Sequence, residues 1–315
     1  MFSEENLRTI LLEKYCIKIS QIKFIDHSEN ILYMFVADTK DVYALRVHQF
    51  SHRADFEAFA PDIHNEQQLE EMMLFLHFLS LHQEDFLFKT PQPVRNNAGR
   101  FISSYSGIYF SVVTWCAGED LESSKIDTKL FFKLGKALAN FHVQCKYLFP
   151  QCFLSRPFYH VSYLDCIQNK FRKKISQISL PSDVIENIYI GFDLVKKQML
   201  SIEKEGRSII HGDMAPSNVI FHGTDLYLID FSFVGTGTIY QDLASLTFEL
   251  SDKRIQESIF AGYVTISPSV NLEYVKFYEI LRVLLYIVAN ISKFKITSWI
   301  SHDPLEWVDR LRCEM

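Results

Sequence analysis

A chain of 315 residues that is 48% hydrophobic and 22% charged has the composition of an ordinary globular protein, with apolar material for one large core or two smaller ones. Its formal net charge of −6 speaks against a nucleic-acid partner, which needs a basic face to neutralise phosphates. Six cysteines (Cys16, Cys116, Cys145, Cys152, Cys166 and Cys313) lack any C-x-x-C or Cys/His spacing suited to zinc, so they read as reduced thiols. The start, Met1-Phe2-Ser3-Glu4-Glu5, shows neither a basic n-region nor an apolar h-region. The most apolar late stretch, Leu281 to Ile291, is interrupted by Arg282 and falls short of the ~20 apolar residues that span a bilayer. A soluble cytoplasmic protein with no membrane partner is expected.

In chain order, Leu7, Ile10, Leu11 and Tyr15 recur at helical spacing behind Ser3, Glu4 and Glu5, which predicts a capped first helix. Strand-like runs follow at Ile19 to Ile25, Ile31 to Ala37 and Val42 to Val47, the last two separated by the turn-forming Asp38-Thr39-Lys40-Asp41. Leu69, Met72, Met73, Leu76 and Leu79 trace a helix face; Thr90-Pro91-Gln92-Pro93 breaks it. Arg100 to Tyr105 and Ile108 to Trp115 then read as a hairpin turning near Ser106-Gly107. From Asp127 the pattern is mainly helical, with stripes at Leu130, Leu134, Leu138 and Phe141 and at Val184, Ile188, Val195, Met199 and Ile202. Short apolar runs at Ser208 to Ile210, Val219 to Phe221 and Leu226 to Ile229 interrupt the helices.

The residues that carry chemistry sit at the ends of those runs. His211-Gly212-Asp213 is followed by Asn218, five residues after Asp213, and Asp230-Phe231 closes the last run. Loop and strand-end positions let polar side chains converge on a ligand held by a rigid scaffold. Moving a phosphoryl group needs in-line positioning and neutralisation of the phosphate oxygens more than covalent help. An amide oxygen and a carboxylate, Asn218 and Asp230, suit magnesium, whose other positions go to phosphates and water. A further carboxylate, Asp213, can orient an acceptor hydroxyl and take its proton. The plain alternative has Asp213 capping a turn and Asp230 ending a strand; three elements in register weigh against it. Protein kinases write this chemistry as H-R-D-x-x-x-x-N followed by D-F-G. Here Gly212 stands for the Arg and Ser232 for the last Gly.

His211-Gly212-Asp213-Met214-Ala215-Pro216-Ser217-Asn218-Val219-Ile220-Phe221, with Leu228-Ile229-Asp230-Phe231, resembles the aminoglycoside phosphotransferase and choline kinase family, and the resemblance runs over most of the chain. It implies an α+β, protein-kinase-like bilobal fold: a β-rich nucleotide-binding lobe over 1–115 and a mainly helical catalytic and substrate-binding lobe over 116–315. It also implies ATP and magnesium as cofactors, Asp213 as catalytic base, and Asn218 and Asp230 as metal ligands. Asp242-Leu243-Ala244 matches a family element whose Asp braces the catalytic loop. Ser28-Glu29-Asn30-Ile31-Leu32-Tyr33 takes the nucleotide-loop position without a glycine, making Ser28 and Asn30 its candidate contacts. In Tyr43-Ala44-Leu45-Arg46-Val47-His48, Arg46 replaces the phosphate-binding Lys, as in branches resembling homoserine kinases. Its candidate partner is Glu71, with Glu70 or Glu66 as alternatives should the register differ. Val112 to Gly118 aligns with the interlobe hinge, where the Thr114 carbonyl and Cys116 amide would meet the adenine edge. His142, after Phe141, and His211 read as buried packing and hydrogen-bonding residues.

Three functions compete. The first is a kinase for a hydroxyl on a small molecule such as an aminoglycoside or amino alcohol. The second is a protein Ser/Thr kinase of the same fold; the absent Ala-Pro-Glu and the short path from Asp230 to Asp242 count against it. The third is a nucleotide-binding pseudokinase, suggested by the glycine-free loop and Arg46. Acceptor candidates are Glu249, Asp252, Glu257, Tyr263, Tyr278, Glu279 and Arg282. A cationic acceptor wants carboxylates and aromatic faces, an amino-acid alcohol an Arg for its carboxylate. The sequence leaves that choice open, with Arg46 tilting toward the homoserine-kinase-like branch.

Overall fold

The computed structural model describes residues 2–27, 30–48, 65–121, 127–148, 158–176, 180–202, 206–291, 300 and 303–308. By internal packing the chain forms two units, one of Met1–His52, Ile63–Glu119 and Ile220–Ile229, the other of Arg53–Asp62, Asp120–Val219 and Asp230–Met315.

In the first unit, helix α1 (Glu4–Tyr15) begins where the Ser3 hydroxyl accepts the Asn6 N–H, and it buries Leu7, Ile10, Leu11 and Tyr15 along one stripe. Strands β1 (Ile19–His27), β2 (Asn30–Ala37), β3 (Val42–His48), β4 (Ile102–Tyr105) and β5 (Ile108–Thr114) form an antiparallel sheet in the order β1-β2-β3-β5-β4. The α1 stripe joins Ile31, Tyr33, Phe35, Leu45, Val47, Phe110 and Val112 in one core. Because side chains alternate along a strand, that choice of face puts Arg46 on the opposite side from Leu45 and Val47. Helix α2 (Glu66–Leu81) starts three residues before the first residue of its apolar stripe, Leu69, where the Asn65 side chain accepts the Gln68 N–H at 2.9 Å. Ser106 and Gly107 both take positive φ and turn β4 into β5, at the place the sequence marked.

In the second unit, helices α3 (Thr128–Leu148), α4 (Val161–Ile175) and α5 (Ser182–Ser201) precede β6 (Ser208–Ile210); β9 (Gly235–Gly237) then leads to α6 (Ile239–Phe248), α7 (Lys253–Val264) and α8 (Val275–Asn290). The intervening hairpin, β7 (Val219–His222) and β8 (Asp225–Leu228), has its Ile220–Ile229 part in the first unit. There Lys89 bridges to Tyr227 and its ammonium reaches Asp225 at 2.6 Å. Strand β6 pairs antiparallel with β9, Ile210 opposite Gly235. Helices α3 and α7 touch through reciprocal glycines. A Cβ on Gly135 would lie 2.0 Å from the Ile259 carbonyl oxygen, and one on Gly262 2.0 Å from that of Phe132. That approach sets His142 of α3 against Tyr263 of α7, Nδ1 to hydroxyl 2.8 Å. The sequence pattern singled out neither α4 nor β9. The α4 stripe of Tyr163, Leu164, Ile167 and Phe171 is short, and β9 is two glycines around a threonine, with no alternation to read.

Candidate active site

The loop that carries Asp213 leaves β6 at Ile210 and is held by one carboxylate. Asp242, fully buried in the first turn of α6, accepts the His211 N–H at Oδ2 (2.7 Å) and the Gly212 N–H at Oδ1 (2.9 Å). His142 Nε2 lies 3.0 Å from the same Oδ2. An ionised carboxylate only accepts, so His142 donates from Nε2; in the neutral imidazole, Nδ1 then receives the Tyr263 proton. Burial pushes the Tyr263 phenol well above its ordinary value, so it stays a donor. Asp242 thus braces the loop, and His142 is the buried hydrogen-bonding residue expected of it.

Two departures from the protein-kinase signature have geometric causes. Gly212 has φ +84°, and a Cβ there would sit 2.2 Å from the Phe233 carbonyl oxygen. No side chain fits at the position where protein kinases carry Arg. Gly212→Ala is expected to cost about 2 kcal/mol or more, from the left-handed backbone plus the clash, read as a lowered Tm with a matching loss of activity. The second departure is Ser232. Asp230 itself takes the left-handed conformation, φ 59° and ψ 65°, and opens a short 3-10 turn, Phe231–Phe233. Its Oδ1 accepts both the Ser232 hydroxyl (2.6 Å) and the Ser232 N–H (3.3 Å). A serine there orients the carboxylate, which a glycine could do only through its amide.

The turn after Asp230 packs on the loop that carries Asp213. The Phe231 ring lies 4.5 Å from that of the fully buried His211, and the Phe233 carbonyl borders Gly212. Pro216–Asn218 forms a 3-10 turn that brings Asn218 back toward Asp213. Asn218 Nδ2 donates to the Asp213 carbonyl oxygen at 2.9 Å and lies 3.3 Å from Asp213 Oδ2. Both contacts to Asp213 use the NH2 of Asn218. Among the described residues no three His, Cys, Asp or Glu side chains cluster as a metal site.

Asp213 also has a partner that motif reading did not give it. Arg282 of α8 places Nη1 3.3 Å from Asp213 Oδ1 and Nη2 3.7 Å from Glu249 Oε1. In the sequence Arg282 was a lone arginine inside the apolar run Leu281 to Ile291 and, with Glu249, an acceptor candidate.

In the first unit, Arg46 lies opposite Ser111 on β5. Of its three candidate glutamates, Glu70 accepts the Phe101 and Ile102 N–H groups, each at 2.9 Å, and Glu66 pairs with Arg100 at 2.6 Å. Both are committed to β4 and the chain entering it. Glu71 accepts from Gln67 Nε2 at 3.0 Å. Thr114 donates its N–H to the Gln92 carbonyl, while the Gln92 N–H goes to the Thr114 hydroxyl, both 2.9 Å. The hydroxyl, not the Thr114 carbonyl, thus satisfies Gln92. Asn30 opens β2 opposite His48, and Ser28 lies outside the described residues.

Burial pushes the Cys116 thiol up to about 12 and that of Cys145 well up, whereas Cys16 and Cys166 are exposed. Alkylation at pH 8 is expected to label Cys16 and Cys166 before Cys116 and Cys145, because the thiolate is the reactive form; peptide mapping by mass spectrometry reads the order. Among the described residues no helix is long and apolar enough to cross a membrane.

Comparison with solved structures returns the kinase-like fold. An amicoumacin kinase in complex with AMP-PNP, Ca2+ and Ami superposes with TM-score 0.71 at 14% identity, covering 100% of this chain and 94% of that one. A microcompartment-associated aminopropanol kinase gives TM-score 0.70 at 16% identity, covering 98% and 94%. A spectinomycin phosphotransferase in complex with ADP and spectinomycin gives 0.65 at 15% identity, covering 98% and 94%. A search of curated proteins gives no match. A family model described as the phosphotransferase enzyme family matches residues 28–266, which takes in Asp213, Asn218, Asp230 and the Asp242 brace. The chain belongs to the phosphotransferase enzyme family.

Proposed function

We propose that this phosphotransferase moves the γ-phosphate of ATP to a hydroxyl of a small molecule, an amino alcohol, aminoglycoside or related metabolite. The observation that carries the reading is the Asp213–Asn218 pair on a loop fixed by Asp242. Bound with the nucleotide, magnesium supplies charge neutralisation on the phosphate oxygens. Asn218 and Asp230 would hold it, the first through its amide oxygen and the second through a carboxylate already oriented by Ser232. Asp213 orients the acceptor hydroxyl and takes its proton as the new O–P bond forms and ADP leaves. Residues 1–115 are assigned to nucleotide binding and 116–315 to catalysis and acceptor binding. Within the former, Arg46 would contact the phosphates and pair with Glu71, because Glu66 and Glu70 are engaged elsewhere. The Thr114 carbonyl and Cys116 amide would meet the adenine edge, and Ser28 and Asn30 the phosphates. The amicoumacin kinase, aminopropanol kinase and spectinomycin phosphotransferase of like fold support a small alcohol as acceptor.

The test is a coupled ADP-release screen with magnesium-ATP over amino alcohols, aminoglycosides, sugars and nucleosides, with Asp213→Asn as the blank. Acceptor-dependent ADP release that Asp213→Asn abolishes supports the reading. Transfer to protein and to no small molecule would turn it toward a protein kinase, and no magnesium-dependent ATP binding toward a scaffold.

A further inference from the structure

Asp213 is not an open base in this structure. Each of its carboxylate oxygens already faces a donor, Oδ1 the Arg282 Nη1 at 3.3 Å and Oδ2 the Asn218 Nδ2 at 3.3 Å. The Asn218 contact belongs to the loop, since the same Nδ2 is anchored on the Asp213 carbonyl. The Arg282 contact arrives from a different element. Its guanidinium bridges two carboxylates through different nitrogens, and the second contact, to Glu249, is longer still at 3.7 Å. A planar guanidinium can satisfy a carboxylate with two parallel short bonds; here it makes neither pairing fully. It stands between two stations. Arg282 is 20% exposed and Asp213 31%, so neither ion is sealed from solvent. Burial pushes the Tyr163 phenol of α4 up, and the positive charge of Arg282 acts against that. One turn before Arg282 on α8, Glu279 accepts the Thr247 hydroxyl at 3.1 Å.

Resting on the function proposed above, we propose that Arg282 is a positioning residue that withholds Asp213 from water and yields it to the acceptor, with Glu249 as the alternative station for its guanidinium. A water molecule near Asp213 must displace a charge-assisted hydrogen bond before it can give up a proton there. An acceptor held by its other groups approaches Oδ1 with its hydroxyl fixed, and Arg282 then moves onto Glu249. The reaction balances in both cases: the attacking oxygen bonds to the γ-phosphorus, ADP leaves, and the proton goes to Asp213. With water the product is phosphate, with an alcohol the phosphate ester. Arg282 thus sets how much ATP is lost to water.

The test needs only magnesium-ATP, with phosphate release measured in the absence of any acceptor. Arg282→Gln is expected to raise that rate about tenfold over the wild type, the effect of removing roughly one charge-assisted hydrogen bond from the resting state. Arg282→Lys, which can reach one carboxylate at a time, should fall between. Glu249→Gln, which removes the second station, should hydrolyse ATP more slowly than the wild type. The double variant Asp213→Asn/Arg282→Gln should return to the Asp213→Asn level. Loss of a merely structural arginine lowers the rate together with Tm, so a gain cannot come from damage. If Arg282→Gln is unstable, Arg282→Lys and Glu249→Gln carry the test through their opposite directions. An unchanged or lower rate in Arg282→Gln, or a double variant as fast as Arg282→Gln, overturns the proposal while leaving Asp213 as the base. The function proposed above fails separately, and this inference with it, only if the acceptor screen also shows no Asp213-dependent release of ADP.

Discussion

Asp213→Asn is expected to lower phosphoryl transfer on the order of 10³-fold, within the usual range for loss of a general base, while leaving magnesium-ATP binding near the wild-type level. The asymmetry follows from the division of labour on the loop. Asp213 is engaged by Asn218 Nδ2 and Arg282 Nη1, both at 3.3 Å and both part-exposed. An asparagine keeps one of those contacts and gives up the other, at a cost of about 1 kcal/mol, so Tm should move by only a few degrees. The proposed metal ligands Asn218 and Asp230 are untouched, and Asn218 keeps its 2.9 Å bond to the main-chain oxygen of residue 213. Isothermal titration with magnesium-ATP and steady-state kinetics with the best acceptor from the screen measure the two halves. A variant that bound nucleotide normally and still turned over at the wild-type rate would remove Asp213 from the mechanism. One that lost both binding and turnover would assign it to the metal instead.

The largest effect on stability is expected from Asp242→Ala. Its carboxylate is fully buried and receives the His211 N–H, the Gly212 N–H and His142 Nε2. Alanine leaves all three donors without an acceptor in a site that solvent does not reach. Truncating one partner of a buried, hydrogen-bonded network of this kind costs about 3–5 kcal/mol, or roughly 10 °C in Tm. Activity should fall further than stability, because Gly212 adjoins Asp213 and its left-handed backbone is held by that carboxylate. Asp242→Asn keeps one acceptor oxygen and should lie between. His142→Ala removes only the outer member, so a double-mutant cycle with Asp242→Ala should show coupling of about 1–3 kcal/mol. Chemical denaturation read by tyrosine and tryptophan fluorescence supplies the free energies. Independent, additive losses would show that His142 and Asp242 do not act as one brace.

The outcome for each residue tracks how local its information is. The β2 and β3 strands, the α1 stripe and the turn at Ser106-Gly107 were legible because periodicity and turn chemistry are written within a few consecutive residues. The Asp213–Asn218 pair was legible for the same reason, its five-residue spacing being closed by one 3-10 turn. Helix α4 and strand β9 were harder, the first for its short stripe and the second for its glycines. Gly212 and Ser232 could be seen as departures but not explained. Their causes, the Phe233 carbonyl against one and the left-handed Asp230 beside the other, are facts of tertiary packing.

The sequence alone determined the family, which carboxylates and which amide stand near the strand ends, and in what order the elements come. The tertiary structure decided which of those groups meet across long separations. His142 reaches Asp242 from 100 residues away, and Arg282 reaches Asp213 from 69. It also engaged Glu66 with Arg100 and Glu70 with the Phe101 and Ile102 N–H groups. No motif encodes such pairings, because they depend on how α3, α7 and α8 dock. That docking is governed by close contacts such as the Gly135 and Gly262 approach, which repeat at no fixed spacing along the chain.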